Sequence, residues 1–428
     1  MIFGLWQRPV WQGLGLSLAL LSAPVMAQDD GLREALQATI KNHPAVAGKQ
    51  AEVEASESGL SAARSQWLPN FSAQASHYTS SDRSNNGTDD LSNPATLRLR
   101  QPLLTFGRIG NDVDVAQAQV SGEESDFLRV RRDLLTETAL AYVDVLAARA
   151  RSEVAASNLG QLFELQGQIQ RRAAGGLASD ADARLAAARL SRARVSEARF
   201  QGELSVALNV LHSLTREPVN ASEEIPKAFL QLPPARQYER KVLDNSAELQ
   251  RGEWSVKRAE AESKQAITSS MPTVYLQAEK FYDQPGLRDD NQVSIVIEGN
   301  LEGLGFGTRY RSQAASSRKE AARQDLLVTR MELIRDARRL RQLHDLQLEI
   351  ETSHQASVLE LQLLIDSYQR QYESGSKSWL DVLNIQQELN DQRLELVRTE
   401  SDRIRYALEL QAMSGELDHL IKPELTDD

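Results

Sequence analysis

Trp67-Leu68-Pro69-Asn70-Phe71 closes a helix-patterned segment and opens an alternating one, and the same transition returns as Ser270-Met271-Pro272-Thr273-Val274, a separation of 203 (272 − 69). The turn Ala174-Gly175-Gly176-Leu177-Ala178-Ser179 returns as Glu373-Ser374-Gly375-Ser376-Lys377-Ser378, a separation of 199 (375 − 176). Units of this size far exceed solenoid repeats of ~20–50 residues, so the chain is two duplicated half-molecules. Each half reads helix, two strands, long helix, turn, helix.

Outward from Pro69, Phe71, Ala73 and Ala75 alternate with Ser72, Gln74 and Ser76, and Leu97 and Leu99 alternate with Arg98 and Arg100. This period of two predicts strands over about 70–79 and 95–103, joined by the polar loop Ser80 to Pro94. In the second half Val274, Leu276 and Ala278, then Val293, Ile295 and Ile297, predict strands over about 272–282 and 292–300 around the loop Asp283 to Asn291. Each strand has one apolar and one polar face and approaches the ~9–11 residues that cross a bilayer at a tilt.

A long helix is expected over about 107–174, where proline is absent and glycine sparse, and another over about 308–374, which has neither. At 1.5 Å per residue each would be on the order of 100 Å long. Such helices have no core of their own and must pack side by side. The domain reading is a signal peptide over 1–27, a first repeat over 28–217, a linker over 218–237 holding Pro218, Pro226, Pro233 and Pro234, and a second repeat over 238–428.

The signal peptide is read from Arg8, the apolar run Leu14 to Leu21 and the small-residue cleavage site Val25-Met26-Ala27, which leaves Gln28 as first mature residue. The chain has no cysteine, so neither a disulfide framework nor a lipidated cysteine is expected. A formal charge of −11 argues against nucleic acid, which needs a basic face. The six histidines are scattered, without metal-ligand spacing. Gly303-Leu304-Gly305-Phe306-Gly307 lacks the spacing of a phosphate-binding loop. No cofactor and no enzymatic chemistry are expected. Four membrane strands cannot stand alone, because their two open edges would leave N–H and C=O groups unsatisfied in hydrocarbon. Two or more chains must pool their hairpins into a barrel, and that barrel continues into helices: a conduit.

The segments Gln101-Pro102-Leu103-Leu104-Thr105-Phe106-Gly107-Arg108 and Tyr372-Glu373-Ser374-Gly375-Ser376-Lys377-Ser378-Trp379-Leu380-Asp381-Val382-Leu383-Asn384 resemble the TolC family of outer-membrane channel proteins. That resemblance implies a mainly α fold with a membrane β-barrel part. Three chains would form a homotrimer with a 12-stranded barrel in outer-membrane lipid and a 12-helix periplasmic α-barrel. It further implies a periplasmic gate at Asp381, Asn384, Asp182, Tyr372 and Lys377, in which Lys377 and Tyr372 hold Asp182, Asp381 forms an acidic ring, and Asn384 stands where a second acid is usual. Gly176, Leu177, Gly375 and Ser376 would meet a periplasmic adaptor (membrane fusion protein). Capping alone gives another account of the aspartates, since Ser179-x-x-Asp182 and Ser378-x-x-Asp381 are capping-box variants. C-cap geometry does the same for the glycines.

The function these readings predict is a passive outer-membrane exit duct, recruited through the adaptor by an inner-membrane ABC or proton-driven transporter. Type I protein secretion is the leading cargo reading and small-molecule or drug efflux the alternative. A periplasmic coiled-coil adaptor or structural protein is the rival from another class, and it gives no reason for four alternating strands.

Overall fold

The computed structural model describes residues 31–76, 95–221, 225, 230–282, 290–299 and 305–421. The expected signal peptide, the loop Ser80 to Pro94, most of the loop Asp283 to Asn291 and part of the linker lie outside the described residues.

Two short helices open the first half, α1 (Gly31–Asn42) and α2 (Pro44–Ser65). Pro44 is tolerated in the first turn of α2, where its missing N–H has no helical partner to lose. His43 takes an extended conformation before it, and its Nδ1 accepts from the Ala45 N–H at 3.3 Å. The strands β1 (Asn70–Ala75) and β2 (Ala95–Leu104) follow, then α3 (Arg108–Ala174) and α4 (Asp180–Thr215). The second half carries α5 (Ala235–Asn245), α6 (Ala247–Thr268), β3 (Thr273–Tyr282), β4 (Asp290–Glu298), α7 (Phe306–Glu373), α8 (Trp379–Met413) and a last short turn of helix, α9 (Leu417–Ile421). Helix begins within the expected linker 218–237, directly after its last proline: Pro234 serves as N-cap of α5.

The four strands form one antiparallel sheet in the order β1-β2-β3-β4. Register pairs Phe71 with Leu99, Leu99 with Ala278 and Ala278 with Val293, which gathers apolar side chains on one face. Phe71, Leu99, Leu276, Val293, Ile295 and Ile297 are all exposed there. The opposite face is polar: Arg98 pairs with Glu279, and Arg100 donates to Gln277 Oε1 at 2.6 Å and to Glu298 Oε2 at 3.0 Å. β1 and β4 each have a partner on one side only. A flat apolar sheet with open edges is an aggregation hazard in water and unsatisfied in lipid unless another chain completes it.

Each strand connects to its own helix, so the helices repeat the lateral order of the sheet. Near the sheet α2 packs on α3, α3 on α6 and α6 on α7; beyond, α4 packs on α3, α3 on α8 and α8 on α7. The descent from β2 and β4 into the long helices is made at Gly107 and Gly305, with φ of 86° and 92°. These left-handed residues are accessible to glycine without a Cβ clash, which accounts for Gly305 in the Gly303-to-Gly307 segment. α3 and α7 have 67 and 68 residues. Among the described residues no helix is long and apolar enough to cross a membrane.

Among the described residues the buried side chains form three clusters rather than one core. The first holds α1 and α9 against α3, through Leu32, Leu36, Tyr142 and Leu417. Gly31 is needed there, since a Cβ would lie 2.7 Å from the Tyr142 hydroxyl. The second, around Tyr238, Val242, Leu340 and Leu410, docks α5 on α7 and α8, with the Tyr238 hydroxyl donating to the Leu410 carbonyl at 2.8 Å. The third lies at the end of the helices farthest from the sheet.

Candidate functional site

At that far end α3 turns into α4 and α7 into α8 by the same device. Gly176 and Gly375 take left-handed φ of 73° and 79°. The Leu177 N–H then reaches back to the Arg172 carbonyl at 2.8 Å, and the Ser376 N–H to the Gln371 carbonyl at 2.8 Å. Both are Schellman closures, which satisfy carbonyls the ending helix leaves free. Capping therefore accounts for the two glycines. It does not account for Leu177, whose side chain is 74% exposed at the outermost point of the turn.

The returning helices start at Ser179 and Ser378. The Asp182 N–H donates to Ser179 Oγ at 3.1 Å and the Ser179 N–H to Asp182 Oδ2 at 3.1 Å. In the second hairpin the Asp381 N–H donates to Ser378 Oγ at 3.3 Å, and the Ser378 N–H to Asp381 Oδ2 at 3.1 Å. Both capping boxes predicted from the sequence are formed. Hydrogen bonds from the Ser179 hydroxyl and backbone, and from the Trp379 indole, hold the Asp182 carboxyl below the usual carboxylate range. Those from Ser378, with Lys377 close by, do the same for Asp381. Both groups are anions at neutral pH. Asn384 is exposed one turn along α8 from Asp381, on the same side of the helix, while Val382 and Leu383 between them are buried.

Within the single chain, Tyr372, Lys377 and Asp182, expected to meet at the gate, have the following neighbours. Tyr372 is buried with Ile169, Leu190, Trp379 and Val382. Its ring is faced by the Arg172 guanidinium at 4.6 Å, and Arg172 Nη1 donates to the Tyr372 carbonyl at 3.5 Å. Lys377 Nζ sits 4.6 Å from the ring of Tyr368, on its own hairpin. Asp182 is engaged by Trp379. Higher up, the buried Gln386 amide donates to Asn158 Oδ1 at 3.2 Å and to Gln161. The α3–α4 hairpin and the α7–α8 hairpin are thus joined at three heights by polar links around one apolar plug. Arg172, Trp379 and Gln386 carry those links without any local periodic signature in the sequence. No group of acids and histidines that could hold a metal occurs among the described residues.

A sheet with one apolar side, one polar side and two open edges, continuous with a wall of long helices that ends in two hairpin turns packed on a shared apolar cluster, is the architecture of a channel-forming outer-membrane protein. The profile of the outer membrane efflux protein family matches the chain twice, over 35–215 and 240–416, one match to each half. The chain belongs to this family. Its members are passive channels and not enzymes, trimeric, and they work with periplasmic adaptors and inner-membrane transporters. Several solved structures share the fold. CusC superposes with a TM-score of 0.80 at 16% identity over 90% of this chain and 92% of its own. VceC of Vibrio cholerae gives 0.78 at 18% identity over 91% and 97%. The open state of MtrE from Neisseria gonorrhoeae gives 0.76 at 15% identity over 92% and 91%. No curated protein sequence matches the chain.

Proposed function

We propose that the protein is the outer-membrane exit duct of a tripartite export system, a homotrimer exported by a cleaved signal peptide and recruited by an inner-membrane transporter through a periplasmic adaptor. The observation that carries this reading is the four-stranded sheet with free edges at β1 and β4, continuous with α3 and α7. Three copies close twelve strands into a barrel that abolishes its edges. The polar face around Arg98, Arg100 and Glu279 then lines the lumen, and the apolar face meets lipid.

The gate lies at the tip. Asp381 supplies a ring of three carboxylates, and Asn384 leaves the next ring neutral. Such a ring attracts cations and focuses negative potential across the constriction. Asp182 and Tyr372 are the points at which one hairpin is tied to the other, and Lys377 braces the turn against Tyr368. Gly176, Leu177, Gly375 and Ser376 form the knobs on which the adaptor docks, with Leu177 the apolar contact.

The cargo reading favoured by the absence of any cysteine for lipidation is type I protein secretion. Efflux of small molecules is favoured by the family's description as efflux proteins. Reconstitution of the detergent-purified protein in planar bilayers tests the duct itself: discrete conductance steps support it, and their absence with intact trimers refutes it. In cells, deletion separates the cargoes: loss of secreted protein with unchanged sensitivity to small toxic compounds supports secretion, and the converse supports efflux.

A further inference from the structure

The lateral order leaves each protomer two uncovered flanks, α2 stacked over α4 on one side and α7 on the other. In their tip halves both flanks carry exposed apolar side chains at helical spacing. On α7 these are Leu348, Leu359 (61% exposed) and Leu363; on α4 they are Leu185, Val195 (71% exposed) and Val206. Helices this apolar on an outward face need a partner helix.

Charge decides which one. In its tip half α7 exposes Glu360 and Asp366, and none of the described residues pairs with either. The facing stretch of α4 exposes Arg184 and Arg192, on the side opposite the buried Leu190 and Ala193 and equally unpaired among the described residues. Both helices end at the tip turns, so residues equally far from those turns lie at equal height. Glu360 lies about as far above the end of α7 as Arg192 lies above the start of α4, and Asp366 lies between the heights of Arg184 and Arg189. By the same measure Leu359 matches Val195 and Leu348 matches Val206. Near the sheet the signs reverse: α7 carries Arg318 and Lys319, and α2 exposes Glu54 and Glu57 at similar depth below the strands.

We infer that the flank of α7 is built to receive the α2–α4 flank of a second copy of this chain, and that the reversal of charge between the two halves fixes the vertical register of that junction and excludes foreign protomers. The inference rests on the proposed ring of three. A head-to-tail junction of this kind brings different surfaces of the two copies together, so each flank can be specified independently. A slip along the helix axis, or inversion, sets acid against acid near one end, and like-charge juxtaposition is the element that rejects wrong partners.

The test uses the full chain in detergent, with trimer measured as the heat-resistant fraction on denaturing gels. One variant combines Glu360→Arg with Asp366→Arg; the other combines Arg184→Glu with Arg192→Glu. Each alone is expected to lose trimer by about tenfold or more, with recovery at about 1 M salt, where screening acts within ~3 Å. All four changes in one chain restore the match and the trimer. Co-expression of the two variants does not, because an odd ring cannot alternate two kinds of subunit. Trimerisation of either two-site variant at the level of the unaltered chain overturns the inference, and so does failure of the four-site variant to recover. Rescue by co-expression instead contradicts three-fold closure while leaving the charge match standing, and absence of trimer in the unaltered chain contradicts the duct reading itself.

Discussion

The indole of Trp379, the first residue of α8, sits beside the carboxylate of Asp182 in the first turn of α4 and, after the Ser179 hydroxyl and backbone, helps hold that carboxyl below the usual range. The N-termini of two helices that belong to different repeats are thereby brought together. Trp379 is only 7% exposed, with Ile169, Leu190, Tyr372 and Val382 around it. The capping carboxylate of one hairpin thus also borders the buried cluster that packs against the other.

Replacing Trp379 by Phe keeps most of the plug and removes the donor. Single-channel conductance is expected to rise while the trimer remains intact. Trp379→Ala also empties the plug and is expected to cost about 3–5 kcal/mol of stability, read as a lowered thermal midpoint with an open channel. Wild-type conductance in both variants would remove Trp379 from the closure.

Arg172 and Lys377 are both cations beside tyrosines, yet they differ in what they join. Arg172 crosses between hairpins to Tyr372, and Lys377 stays on its own hairpin over Tyr368. Arg172→Ala is expected to loosen the tip and raise conductance, at a cation–π loss of about 0.5–2 kcal/mol. Lys377→Ala should leave conductance near wild type. Equal effects in paired bilayer recordings would show that the distinction between the two contacts is wrong.

At the turns, Gly375→Ala forces a residue with a Cβ into a left-handed conformation at about 1–2 kcal/mol, although no atom crowds the added methyl. A lowered melting temperature with adaptor binding retained is the expected result. Leu177→Asp changes no buried contact and should do the opposite, abolishing adaptor capture with thermal stability unaltered. Adaptor binding undisturbed by Leu177→Asp would place docking elsewhere.

Because the Asp182 and Asp381 carboxyls are held below their usual value of 3.8, the stability they contribute is fully present above that value and is lost as pH falls through the lowered one. Cation selectivity is therefore expected to stay constant between about pH 5 and 8 and to collapse only in stronger acid. Asp381→Asn should weaken selectivity throughout the neutral range. Reversal potentials that titrate near neutrality would assign the ring to other groups.

Much of this architecture was legible in the residues. Alternation at Phe71 to Ala75 and Val293 to Ile297 revealed the sheet and its faces, and the lack of proline after Arg108 and Thr308 revealed the long helices, because both signals are local and periodic. The paired serines and aspartates revealed the capping boxes for the same reason. The tip links were not legible. Arg172 to Tyr372, Trp379 to Asp182 and Gln386 to Asn158 join residues about 200 positions apart, and a single cross-hairpin contact leaves no period in either segment. Nor was the position of the Lys377 ammonium over the ring of Tyr368, in its own hairpin, legible.

The mass of the mature protein in detergent, by light scattering with the detergent contribution subtracted, tests the central claim most directly. Two open sheet edges and two uncovered helical flanks predict a single species of three chains that precipitates when detergent is removed. A monodisperse monomer that stays soluble without detergent would contradict the account.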